Sequence, residues 1–153
     1  MSVRLLALVI TCSSVCPTLA AQSRWDRQVD ARLTQAGATL QGRAYRLAGL
    51  VGRGTLNTGE SATFSIKLPA GAESALTGVC DDDCADLDLS LSTNGYDIDA
   101  ARGGGNAPIV RVTPAALTTY TVTVRMMSCR VNPCWFAVAA FVQAFTAPLH
   151  SPR

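Results

Sequence analysis

The sequence predicts a mainly β protein, an antiparallel β-sandwich preceded by one N-terminal amphipathic helix. Three observations predict it. Short runs alternate apolar and polar residues with a period of two, the pattern of strands with one buried face. Clusters of Gly, Pro, Asn and Asp punctuate these runs at short intervals, as in sandwiches. A helical period of 3–4 residues is confined to residues 22–41, and no internal repeat of fixed period is visible.

In the helical segment Trp25, Val29, Leu33, Ala36 and Leu40 form one apolar stripe. Ser23 is placed to cap its start and Gly42 marks its end. The period then changes. Tyr45 to Val51 reads as a strand, followed by a turn-rich stretch from Gly52 to Glu60. Phe64, Ile66 and Leu68 alternate with Ser65 and Lys67, and Pro69-Ala70-Gly71 closes that strand. Ser74 to Val79 leads into Cys80. Asp86 to Ser92 carries Leu87, Leu89 and Leu91 on one face, and Asn94-Gly95 is a strong tight-turn signal returning the chain as Tyr96 to Ala100.

Gly103-Gly104-Gly105-Asn106 reads as a loop, and Ile109 to Thr113 as a strand between prolines. Thr119 to Met127 alternates cleanly, with Tyr120, Val122, Val124 and Met126 on one side. Trp135 to Gln143 is apolar on both faces, which fits a central buried strand or a short helix; its position after a turn favours the strand. The expected organisation is a signal sequence at 1–20, a helical lead-in at 21–41, a sandwich domain at 42–143 and a loose tail at 144–153.

The signal reading rests on Arg4, the apolar run Leu5 to Ile10, and the small residues of Thr18-Leu19-Ala20. That run is far shorter than the roughly 20 apolar residues that span a bilayer, so no transmembrane anchor is expected after cleavage. Val15 before Cys16 departs from a lipoprotein signal. Cleavage after Ala20 removes Cys12 and Cys16 and leaves Cys80, Cys84, Cys129 and Cys134. An even set in an exported chain suggests two disulfides. Local pairing of 80 with 84 and 129 with 134 is the simplest choice, each loop stabilising by about 2 kcal/mol. Cross-pairing and four-cysteine zinc ligation are the alternatives, the latter with spacing unlike most zinc sites.

Charge is segregated along the chain. Residues 22–54 carry six arginines against Asp26 and Asp30, residues 55–100 carry nine acids against Lys67, and residues 101–153 carry five arginines. No basic stripe interleaved with aromatics occurs, so nucleic acid is not an expected partner.

The run Gly54 to Gly71, GTLNTGESATFSIKLPAG, resembles the opening of bacterial pre-peptidase C-terminal domains. Asp86-Leu87-Asp88-Leu89-Ser90-Leu91 with Asn94-Gly95, and Thr119-Tyr120-Thr121-Val122-Thr123-Val124, are similar to that family's D-x-D-L-x-L and Tyr-x-Val-x-Val strands. The resemblance covers about residues 45–142. It implies a jelly-roll-like β-sandwich, a secreted accessory domain associated with substrate or surface binding, or with processing. The paired cysteines suggest a stand-alone, disulfide-containing variant.

A hydrolase needs a nucleophile, a base and a group to orient the base. The only histidine, His150, lies in the tail between Pro148 and Pro152, where it is a poor general base. Calcium is the stronger chemical expectation, because it takes six to eight oxygen ligands from carboxylates and bent backbone. Asp81, Asp82, Asp83, Asp86 and Asp88 cluster around one turn, with Asp97 expected to approach Asp88 across the hairpin. The competing reading is that these are solvated acids offset by Arg102, Arg111 and Arg125. The D-x-D-x-D-G pattern of an EF-hand is absent. The sequence thus points to a non-catalytic, periplasmic or secreted module for binding or adhesion, with an unknown protein or glycan partner at the cell envelope. The alternative is a structural envelope component that docks on a partner through its N-terminal helix.

Overall fold

The segment that is apolar on both sides, Cys134–Gln143, is strand β8, and it lies inside a sheet that has a layer on either face. Phe136, Val138 and Ala140 enter the core between the two sheets. Ala137, Ala139 and Phe141 face the helix α1 (Thr18–Gln41). Strand β3 (Ser74–Cys80) is used the same way and is buried along its whole length. Its Leu76 and Cys80 point to the sandwich core, and Ala75 and Val79 to the helix side. The computed structural model describes residues 18–144. The expected signal sequence up to residue 17 and the tail from 145, with His150, lie outside these.

The remaining strands are β1 (Tyr45–Leu56), β2 (Ser61–Leu68), β4 (Cys84–Thr93), β5 (Tyr96–Ala101), β6 (Ile109–Val112) and β7 (Thr118–Cys129). They form two four-stranded antiparallel sheets, ordered β1-β8-β3-β6 and β2-β7-β4-β5. The first half of the chain pairs against the second as one long hairpin, β1 with β8, β2 with β7, β3 with β6 and β4 with β5. Rolling that hairpin up gives a jelly-roll sandwich, the antiparallel sandwich that the strand pattern predicts.

Between the sheets Leu87, Leu89 and Leu91 of β4 meet Leu76, Val110, Val122, Val124, Met126 and Phe136. Each of the three leucines is fully buried, which stabilises by roughly 1.5–3 kcal/mol apiece. On the other side of the first sheet Val29 and Leu40 are buried, and Leu33 packs against Tyr45, Ala75, Ala139 and Phe141. The helix is thus a third layer of the fold. Arg53 of β1 reaches Asp30 at 2.7 Å and Asp26 at 4.0 Å, holding the helix from the strand edge.

Three expectations need correction. The stretch from Gly52 is not turn-rich loop: β1 continues to Leu56, and only 57–60 turn. The glycines serve packing instead, since a Cβ on Gly52 would lie 2.3 Å from the Phe64 ring, and Gly54 sits under Phe136. Ser23 is not the helix cap, because α1 already runs from Thr18 through Leu19-Ala20-Ala21, residues of high helix propensity. The helix does end before Gly42, yet the left-handed residue of the exit is Ala44, with φ of 65°. Ser74–Cys80 is a full strand rather than a lead-in. The Asn94-Gly95 turn is as the sequence predicts, with φ of 50° and 80°, the values of a type I′ hairpin.

Candidate functional site

The four described cysteines gather at one end of the sandwich. Cys80 closes β3 and Cys134 opens β8, both in the first sheet; Cys84 opens β4 and Cys129 closes β7, neighbours in register in the second. The disulfides are Cys80–Cys84 and Cys129–Cys134, the local pairing. Short in sequence, each bond nonetheless staples one sheet to the other. The staples are themselves cross-linked: Asp81 N–H donates to the Trp135 carbonyl at 3.0 Å, and Trp135 N–H donates to Asp81 Oδ2 at 2.9 Å. Asp81 is fully buried and its Oδ1 has no hydrogen-bond partner. Burial pushes its carboxyl above the ordinary aspartate value, against the Trp135 N–H that favours the charged form.

The other acids of the segment go to separate partners. Asp82 pairs with Arg32 at 2.6 Å, and Asp83 accepts from Trp25 Nε1 at 3.3 Å, so both acids fasten the helix to the cysteine loop. Asp86 accepts from Gly105 N–H at 3.2 Å and Asp88 from Gly103 N–H at 2.9 Å. These two acids hold the triglycine loop beside β4, where positive φ at Gly103 and Gly105 lets the chain turn. Asp97 does not approach Asp88. The tight turn fixes Ser92 opposite Asp97, whereas Asp88 faces Arg125, and Asp97 pairs with Arg102 at 3.6 Å. Among the described residues no three His, Cys, Asp or Glu side chains converge on a point fit for a metal.

A feature that the sequence reading passed over is the outer face of the second sheet. The same alternation that sends leucine and valine inward sends hydroxyls outward. Ser65, Thr121 and Ser92 form one row across β2, β7 and β4, and Thr63, Thr123 and Ser90 form the next. Rows are spaced about 6.8 Å apart along the strands and neighbours about 4.8 Å across them. Among the described residues no element covers this face, and none of the six hydroxyls has a side-chain hydrogen bond. The next row is Ser61, Arg125 and Asp88. Here Ser61, Asp88, Ser90, Arg102, Thr123 and Arg125 line a shallow groove of about 400 Å³. The signal for this face was available in the Thr/Ser positions of the alternating strands; what the sequence lacked was the knowledge of which strands lie side by side.

Two further grooves flank the helix. One of about 450 Å³ lies between α1 and β6, with Arg32, Gln35, Thr77 and Asn106 on its walls. The other, of about 400 Å³, lies between α1 and β1, with Leu33, Gly37, Leu47 and Phe141. No helix among the described residues is long and apolar enough to cross a membrane.

No family model and no curated protein matches the chain. Among solved structures, PliG of Aeromonas hydrophila, a periplasmic inhibitor of g-type lysozyme, is similar at 15% identity over 62% of this chain and 89% of that one, with a TM-score of 0.43. The pre-peptidase C-terminal domain of a Bacillus anthracis collagenase is similar at 10% identity, over 61% of this chain and 89% of that one, with a TM-score of 0.44.

Proposed function

We propose that the chain is an exported, non-catalytic binding module whose ligand surface is the outer face of the β2-β7-β4-β5 sheet. The observation that carries this reading is the asymmetry of the sandwich. One sheet is covered by α1, while the other presents two rows of hydroxyls with no side-chain hydrogen bond among the described residues. Each hydroxyl offers a donor and acceptors, so the face is equipped to hold a polar ligand. The two disulfides support export, since such bonds persist in oxidising compartments.

Docking on an envelope partner through the helix is the less favoured reading, because the apolar stripe of α1 is used on the chain's own sheet. Calcium has no part in the proposal, because the six candidate aspartates go to separate partners and no three acids converge among the described residues.

Retention of the oxidised protein on envelope polysaccharide and on a glycan array tests the reading. Wild type and Ala31→Arg, on the exposed side of the helix, should be retained equally. Thr121→Arg, at the centre of the hydroxyl rows, should be lost at an unchanged melting temperature. Equal retention of Thr121→Arg, or no retention of wild type, refutes the assignment.

A further inference from the structure

Resting on that binding face, we propose that its Arg125 end recognises the carboxylate of an acidic polysaccharide, with the sugar hydroxyls laid across the Ser/Thr rows. Arg125 stands on β7, an interior strand, in register with Ser61 and Asp88. It is exposed and makes no ion pair or side-chain hydrogen bond among the described residues. Asp88, the acid opposite it, turns its Oδ1 to the Gly103 N–H instead. A second guanidinium, Arg102, lines the same groove. Its only ion pair among the described residues is with Asp97 at 3.6 Å, where both side chains are more than 60% exposed, so a ligand can displace it at little cost.

The groove therefore offers two guanidiniums and one carboxylate, with Ser61, Ser90 and Thr123 hydroxyls between them. Its volume of about 400 Å³ is within the range of small-ligand sites. A guanidinium binds a carboxylate through two parallel N–H···O bonds. The hydroxyl rows beyond it match a ligand that is itself rich in hydroxyls. A peptide cannot add as a strand beside Arg125, because β7 is paired on both edges with β2 and β4. The face also lacks the aromatic residues and continuous basic stripe that nucleic acid binding uses.

The test compares polygalacturonate with its fully methyl-esterified form, which keeps the backbone and removes the charge, and with poly-glutamate. Affinities for the oxidised full chain are measured by calorimetry at two salt concentrations. Polygalacturonate should bind at least about tenfold more tightly than the ester, and less tightly at high salt. Arg125→Gln should lose that preference at an unchanged melting temperature, while Thr123→Val should weaken both polymers.

Equal affinity for acid and ester overturns the carboxylate assignment and leaves the binding face standing. So does a preference that survives in Arg125→Gln. Poly-glutamate binding as tight as polygalacturonate overturns the polysaccharide assignment. Failure of all three polymers overturns the inference, and the array result for Thr121→Arg then decides the face separately.

Discussion

Replacing Gly52 by alanine isolates the packing that turned an apparent loop into strand. A Cβ built there lies 2.3 Å from Phe64 Cε1 and 2.5 Å from both Cδ1 and Cζ. That is more than 1 Å inside the optimal carbon–carbon separation of about 3.5–4.0 Å. The ring itself must move, yet it is held against Phe136 at a centroid distance of 6.1 Å. A clash this deep against a held ring falls in the upper part of the overpacking range, about 2–3 kcal/mol. Alanine returns about 1 kcal/mol by restricting the unfolded chain, leaving a net loss of about 1–2 kcal/mol. For a domain of this size the melting midpoint should fall by roughly 3–10 °C. Gly54→Ala is the control, because its Cβ meets Phe136 only at 3.4 Å and should change the midpoint little. In a Phe64→Ala background the cost of Gly52→Ala should vanish, which a double-mutant cycle reads directly. A Gly52→Ala protein as stable as wild type, or a cost that persists without the Phe64 ring, refutes the reasoning.

Leu40→Ala, at the base of the helix where the side chain is buried against Tyr45, Ala139 and Phe141, should cost about 2–4 kcal/mol in chemical unfolding; no cost shows that α1 is a detachable segment. Ala44→Gly relieves a left-handed residue with φ of 65° and should gain up to about 1 kcal/mol, the roughly 1–2 kcal/mol penalty less the glycine entropy cost; a lower midpoint contradicts this. Asp81 has its carboxyl raised in the folded state, so the folded chain binds that proton more tightly than the unfolded one. Its contribution to stability is therefore fully present below the ordinary value of 3.8 and is lost as pH rises through the folded value. Unfolding of wild type and Asp81→Ala across that window should show the gap between them shrinking as pH rises; a gap that widens refutes the assignment.

The segment Cys80 to Ser92 shows how far local chemistry reaches. Its alternation alone placed Leu87, Leu89 and Leu91 on one buried face, and its cysteine spacing alone favoured local disulfides. Neither could show that Cys80 and Cys84 belong to different sheets, because sheet membership depends on pairing partners fifty residues away. The same limit misled the reading of Asp97, whose distance from Asp88 is set by hairpin register. It also misled the reading of Gly52 and Gly54, since glycine signals a turn unless an aromatic ring from another strand fills its place.

By itself the sequence determined the alternating strands β2, β4 and β7, the helix stripe, the tight Asn94-Gly95 turn and the two-sided burial of Trp135 to Gln143, for these follow from periods of two and 3.6 and from local backbone preference. Tertiary structure alone decided that α1 covers one sheet and leaves the other open. It also dispersed the aspartates among Trp135, Arg32, Trp25, the triglycine loop and Arg102, and aligned Ser65, Thr121 and Ser92 into a row. Those outcomes are non-local. A side chain's direction is written in its own strand, whereas its neighbours are chosen by how the long hairpin rolls up.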